Sequence, residues 1–254
     1  MTKVKERREG IANLVNRKGY ASIEFLADKY DVSTQTIRRD ILALSNDKLV
    51  TRHHGGAGSA SSLVNISYDV RRISMLEEKQ RLAAAAVSMI SPGHSMFVSG
   101  GSTMEIVSKE IARISALCVI TNNIHAAFHL YSKSEIELLM PCGRVRHHNG
   151  GIIGPAAINF IDNFQTDYLL MGIGAISPEG FLLDYHYEEA LLMSRMIENA
   201  REIILVTDSS KFQKSAMAQV GHLRDVSFLV TDSEPPHQIL EIMKENNVSL
   251  VIPD

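Results

Sequence analysis

Thr34, Gln35 and Arg38 fall within five residues of one another and carry the side-chain types that read base edges in duplex DNA. Arginine offers paired donors to guanine, glutamine a donor and an acceptor to adenine, and threonine a methyl contact to thymine. Ser33, Thr36 and Arg39 alongside them suit phosphate oxygens, as does the run Arg52-His53-His54. Each of these taken singly also fits a solvated surface position. A second constellation, Ser99-Gly100-Gly101-Ser102-Thr103, follows an apolar stretch and precedes a helical pattern. Glycines there let a backbone approach a ligand closely, helix-start amides point outward, and Ser102 and Thr103 add hydroxyl donors, which are the ingredients of an anion site. A plain strand-to-helix connection has the same local composition. Further polar residues stand where other apolar runs stop: Thr121, Asn122, Gly143, Arg144, Gly172, Glu189 and Lys211. Lys211 can act as a point charge on a phosphate, or be an ordinary surface lysine. Glu189, with Asp184, can accept from ligand hydroxyls or cap the helix beginning near Tyr187.

The first group needs a rigid rod to present it. Ile37, Ile41 and Leu44 recur at helical spacing behind Ser33, a good N-cap, so Thr34, Gln35 and Arg38 fall on or near the opposite face. Before it come a helix from about Lys3 to Arg17 and a second one capped by Ser22, with Phe25, Leu26 and Tyr30 on its apolar side. The tight turn Asp31-Val32-Ser33 joins the last two helices, the layout of a helix-turn-helix over about residues 20–39. Leu49 to His54 reads as a strand closed by Gly55-Gly56, which predicts a wing. The small polar stretch 58–62 reads as linker. The expected organisation is a winged helix-turn-helix at 1–57, a linker at 58–74 and a larger domain at 75–254.

The second group needs an open sheet. Continuous apolar runs at 95–98, 117–120, 137–140, 168–173, 202–207, 226–230 and 248–252 alternate with helical patterns such as 76–90 and 104–114. Runs that are apolar without alternation predict strands covered on both faces, hence a mostly parallel α/β sheet whose ligand sits at strand ends.

Charge divides the same way. Residues 1–57 carry a formal +4 and the remainder −7, within a total of −3. A basic headpiece on an acidic body implies that only the headpiece meets a polyanion. No apolar run approaches a membrane span, and the charged start Met1 to Arg8 is unlike a secretory signal, so a cytoplasmic protein without membrane contact is expected. Cys118 and Cys142 are too few for a disulfide framework. The pairs His53-His54 and His147-His148 lack partner ligands at metal spacing, so no metal and no cofactor are expected.

Val32-Ser33-x-x-Thr36-Ile37-Arg38-Arg39-Asp40-Ile41-x-x-Leu44 followed by Arg52-His53-His54-Gly55-Gly56-Ala57 resembles the signature of the DeoR family of bacterial repressors. Glu77-Glu78-Lys79, Thr121-Asn122-Asn123, Gly150-Gly151-Ile152-Ile153-Gly154 and Asp208-Ser209-Ser210-Lys211-Phe212 extend the resemblance over nearly the whole chain. It implies a larger domain similar to the ribose-5-phosphate isomerase and CoA-transferase fold, in which the Gly-Ser-Thr loop holds a phosphate. It also implies double-stranded operator DNA and a phosphorylated small molecule as partners, and a homo-oligomer, dimer or tetramer. The runs at 52–56, 61–65 and 150–154 resemble most the branch that governs glycerol catabolism, which implies glycerol-3-phosphate as effector and release from the operator as its action; another sugar phosphate is the alternative. Ser99 stands where many relatives have Asp, and Cys142 where a second glycine is common, which bears on hydroxyl contacts. An isomerase with a DNA-binding headpiece is the rival class. Isomerisation needs a positioned general base, and the run Met171 to Ser177 holds no carboxylate, so no catalysis is expected.

Overall fold

The computed structural model describes residues 3–47, 49–53, 55–59 and 68–253. The chain divides into two compact units, residues 1–74 and 75–254.

In the first unit, α1 (Lys3–Lys18) leads through β1 (Tyr20–Ser22) to α2 (Ile23–Tyr30) and α3 (Thr34–Asn46); β2 (Val50–His53) and β3 (Gly56–Ser59) follow, then α4 (Tyr68–Ile73). Ser22 caps α2 by accepting the Phe25 amide at 3.1 Å, and Asp31 turns the chain out of α2 in the left-handed conformation. Ile11, Val15, Leu26, Ile37, Ile41 and Leu44 bury against one another. Each such side chain contributes roughly 1.5–3 kcal/mol when fully buried, so the spacing of the α3 triad fixes which side of that helix faces outward. The sheet runs β1-β3-β2, all antiparallel. Its crossing at Gly56 tolerates no side chain: a Cβ there would lie 2.3 Å from the Ala21 carbonyl oxygen.

Two expectations require correction. Gly58 and Ser59 are not linker; they complete β3, paired with Thr51 and Val50 of β2. Their small size reflects packing, since a Cβ on Gly58 would meet the His53 ring at 2.4 Å. The segment expected as linker also contains α4. His54 and residues 60–67 lie outside the described residues.

The second unit opens with α5 (Leu76–Ser88) and β4 (Ser95–Val98), then α6 (Ser102–Ile111), β5 (Leu117–Thr121), α7 (Ile124–Leu130) and β6 (Ile136–Leu139). A hairpin, β7 (Arg144–Val145) with β8 (Ile152–Ile153), precedes α8 (Pro155–Ile161) and β9 (Thr166–Met171). There follow β10 (Ala175–Ile176), β11 (Phe181–Asp184), α9 (Tyr187–Glu198), β12 (Ala200–Val206), a short 3₁₀ helix at Ser209–Gln213, β13 (Ala218–His222), β14 (Phe228–Val230), α10 (His237–Glu245) and β15 (Ser249–Val251). The main sheet has seven strands in the order β15-β14-β12-β9-β4-β5-β6, every pair parallel. All seven are the apolar runs of the sequence. Met96, Val98, Val119, Leu170 and Ile204 point to one face, packed on α5, α6 and α7. Phe97, Ile120, Leu169, Met171 and Leu205 point to the other, packed on α8, α9 and α10. A small antiparallel sheet, β10-β11-β13, stands apart from it.

The strand order holds the main functional consequence. From β4 the chain builds outward to β5 and β6, then returns to β9 on the other side of β4 and continues to β15. The order therefore reverses between β4 and β9, where open α/β sheets bind ligands at the carboxyl ends of the strands.

Candidate functional site

On the headpiece, Ser33 adopts an extended backbone and its hydroxyl accepts the Thr36 amide at 3.2 Å while pairing with the Thr36 hydroxyl at 2.9 Å. This cap starts α3 so that Thr34, Gln35, Arg38 and Arg39 are all exposed, while Ile37, Asp40 and Ile41 are buried. Among the wing residues, Arg52 is exposed, whereas His53 is half-buried and packs at a tilt against Tyr20 with ring centroids 6.0 Å apart. Asp40 is 2% exposed and binds two arginines of α1: Arg7 Nε at 2.6 Å and Arg8 Nε at 2.8 Å. The sequence signature contains Asp40, but only the fold shows what it grips.

At the sheet, the loop Ser99 to Thr103 lies across the reversal point. Ser99 is fully buried; its amide donates to the Leu170 carbonyl at 3.0 Å, and its hydroxyl accepts the Gly172 amide at 3.3 Å. These bonds tie the ends of β4 and β9 together. Gly101 precedes α6 with φ +125°, a conformation that side-chain-bearing residues rarely adopt, and no side chain caps the helix. Ser102 is buried and Thr103 half-buried in the first turn of α6.

Lys79, on α5, is 4% exposed and its Nζ donates to the Ser102 hydroxyl at 3.4 Å. Asp208, 4% exposed at the end of β12, lies 3.9 Å from Lys211 Nζ, and its carboxylate accepts the Ser210 amide at 3.1 Å and the Ser210 hydroxyl. Burial pushes the Asp208 carboxyl up. Lys211, the Ser210 hydroxyl, Lys214 and Lys79 together outweigh that and hold its pKa down to about 2. The end of β4 and the end of β12 are thus electrostatically joined through Lys79. Neither Lys79 nor Asp208 was singled out from sequence as a site residue; a lysine in a charged helical run gives no sign that it is buried.

The remaining residues divide. Thr121 is fully buried and serves the fold: its hydroxyl donates to the Val98 carbonyl at 2.8 Å and accepts the Asn123 amide. Asn122, 6% exposed, donates from Nδ2 to the Ile152 carbonyl at 3.1 Å, while its Oδ1 has no partner among the described residues. Thr207 Oγ1, at the end of β12, is equally buried and unpartnered. An unmet buried polar atom costs about 1–3 kcal/mol, and both stand just past the carboxyl ends of main-sheet strands, β5 and β12. Glu189 accepts Asn149 Nδ2 at 2.6 Å and forms an ion pair with Arg146 at 2.5 Å, with both charged side chains largely buried. Arg144 instead points to the surface and pairs with Glu188 at 2.5 Å. Gly143 has φ +155°, and a Cβ there would lie 2.6 Å from the Ile153 carbonyl oxygen, so it serves the β7–β8 hairpin. Contacts connect the loop to this network: a Cβ on Gly100 would meet Asn123 Nδ2 at 3.2 Å, and that amide donates to the Asn149 carbonyl.

A helix-turn-helix headpiece together with an α/β unit that gathers buried charged residues at its strand ends defines a ligand-sensing, DNA-binding regulator. Residues 7–63 match the DeoR-like helix-turn-helix domain, and residues 74–233 match the DeoR C terminal sensor domain. The chain belongs to the DeoR family of transcriptional repressors. It is 39% identical to the HTH-type transcriptional repressor CsqR of Escherichia coli, over 97% of this chain and 95% of that one. It is 37% identical to the glycerol-3-phosphate regulon repressor of the same organism (96% and 97% covered) and 39% identical to that of Haemophilus influenzae (97% and 96%). Among solved structures, the tetrameric eIF2B-beta2-delta2 complex from C. thermophilum shares the fold at a TM-score of 0.52 and 10% identity, over 96% of this chain and 95% of that chain. Ribose 5-phosphate isomerase A from Methanocaldococcus jannaschii aligns at a TM-score of 0.41 and 18% identity over 55% of each chain. Relatives that align over nearly their whole length are named as regulators, and the chain is a regulator and not an enzyme. Among the described residues no helix is long and apolar enough to cross a membrane.

Proposed function

We propose that this repressor holds operator DNA with α3 and lets go when a phosphorylated polyol, glycerol-3-phosphate in the first instance, occupies the loop Ser99 to Thr103. On the headpiece, Thr34, Gln35 and Arg38 read base edges; Ser33, Thr36, Arg39 and Arg52, with His53 and His54 of the wing, meet the backbone. On the body, the amides of Gly100 to Thr103 and the Ser102 and Thr103 hydroxyls receive the phosphate, with Lys79 and Lys211 supplying charge. Asn122, Gly172 and Glu189 line the side toward the carbon skeleton, and Gly143 and Arg144 shape its rim.

One observation carries the effector reading: a buried lysine donates to the first hydroxyl of a glycine-rich helix start at the reversal point of the sheet. A phosphate suits the free amides at a helix N-terminus, and a lysine beside them adds a charge-assisted donor. The 37% and 39% identity to two glycerol-3-phosphate regulon repressors favours that effector, while the comparable identity to CsqR, whose name gives no effector, is the reason for titrating a panel. A homo-oligomer supports the DNA side, because paired headpieces raise effective concentration on a repeated operator.

The test is calorimetric titration with glycerol-3-phosphate, a set of sugar phosphates and free glycerol, repeated on Lys79→Met. A charge-assisted hydrogen bond contributes about 1.5–3 kcal/mol, so the variant should bind the phosphorylated effector roughly 10- to 150-fold more weakly. Equal binding of glycerol and its phosphate, or an unchanged Lys79→Met isotherm, would remove the phosphate site.

A further inference from the structure

Arg7 and Arg8 do more than pin α1 to α3. Each donates a single Nε–H to one oxygen of the buried Asp40 carboxylate. A guanidinium carries five N–H donors, and the terminal nitrogens of both arginines have no other partner among the described residues. Two positive charges therefore meet one negative charge, leaving a surplus of +1 and two planar forks with their outer edges unused. The forks are held, not floppy: Arg7 keeps only 16% of its side chain exposed and Arg8 38%.

Their place beside α3 identifies the anion. A helix with its side chains is about 10–12 Å across, and the major groove is about 12 Å wide, so an inserted helix fills the groove and whatever flanks it lies against the phosphate walls. Asp40 follows Arg39 on α3 and turns inward to α1, so the arginine pair sits where α1 meets the groove-reading helix, with Arg8 the more exposed of the two. Arginine forks match phosphate oxygens in pairs, and their orientation by a carboxylate lowers the entropy lost on binding.

We infer that Arg7 and Arg8, oriented by Asp40, form a seat for a DNA backbone phosphate, with Arg8 as the main contact and Asp40 as a positioning residue. The inference rests on α3 being the groove-reading helix. It is tested by binding of the full-length protein to a mixed-sequence duplex of about 30 base pairs, over salt from about 50 to 200 mM, where one phosphate contact contributes about 0.9 to the slope of log affinity against log salt. Arg8→Gln should shallow that slope by about one and weaken mixed-sequence and promoter duplexes by the same factor, over and above any fall in melting temperature from the lost Asp40 bond. An unchanged slope with parental affinity would overturn the seat, as would a lowered melting temperature with no slope change. Should Arg8→Gln not fold, Arg8→Lys keeps a cation for Asp40 but loses the planar fork. It should melt like the parent and bind both duplexes several-fold more weakly, and parental affinity on both would equally overturn the seat. Arg38→Ala run in parallel separates the two readings: if it alone lowers affinity for the promoter duplex, the seat fails and the reading helix stands; if neither variant matters, α3 is not the reading helix.

Discussion

Asp208→Asn separates the charge at the end of β12 from the backbone role of the same residue. Asp208 caps the 3₁₀ helix Ser209–Gln213 by accepting the Ser210 amide, and asparagine caps helices as well as aspartate does. The substitution therefore removes a charge and leaves a cap. The carboxyl titrates at about 2 in the fold against an ordinary 3.8. That drop of nearly two units is worth about 2.5 kcal/mol at neutral pH by linkage. Because the folded value is the lower one, the unfolded chain takes up the proton first as the medium is acidified. The stabilisation is complete above the unfolded value, begins to fade as pH falls through 3.8, and is gone below about 2. At pH 7 the variant should lose at least about 2 kcal/mol, and more where Lys211 and Lys79 lose the charge of Asp208. Chemical unfolding at pH 7, 5 and 3 is the assay, followed by circular dichroism because the chain has no tryptophan. The parent should lose more stability than the variant between pH 5 and 3, so that the two converge. Parallel stability profiles, displaced by the same amount at every pH, would refute the electrostatic account and leave only lost packing.

Other outcomes follow from the same geometry. Arg38→Ala should cost about 1–3 kcal/mol on operator DNA and relax sequence preference in a competition binding assay; an equal loss on random duplex would make Arg38 a phosphate contact. Ser33→Ala removes the hydroxyl that receives the Thr36 amide and should lower headpiece stability by about 1 kcal/mol, read by hydrogen exchange at the first turn of α3. Thr103→Trp should leave operator binding intact and abolish release by effector in a gel-shift titration, since position 103 is half-buried at the start of α6.

The headpiece and the seven-stranded sheet were legible because burial writes a period into sequence. Ile37, Ile41 and Leu44 recur with the helical repeat, and runs such as Leu169-Leu170-Met171 are unbroken because both faces of their strands are covered. Strands β1, β7, β8, β10, β11 and β13 were not anticipated, since segments of two to five residues are too short to show a repeat. Neither were α7, α8 and α10, the first two of which run for only seven residues. The loop Ser99 to Thr103 announced itself through glycines and hydroxyls, but the partners that give it charge did not. Lys79 becomes buried only when α5 packs on the sheet, and Asp208 in sequence is only one residue of a motif. Thr121 shows the opposite failure: its position at a strand end resembled a ligand contact, yet both its hydrogen-bonding roles are spent on neighbouring backbone. Polar residue type states what a side chain can do, and tertiary packing decides whom it does it to.

Gly101 gives the sensor an unusual vulnerability. Its φ of +125° excludes ordinary side chains, yet a Cβ placed there would strike nothing within 4 Å. Replacing it twists one peptide at the mouth of α6 without wedging the core apart. Under the proposed effector reading, a cell carrying such an allele would keep a well-folded repressor that grips its promoter and no longer hears the metabolite. In a genetic screen for strains unable to switch on the target genes, that reading places uninducible mutants at codon 101, each arising from a single base change.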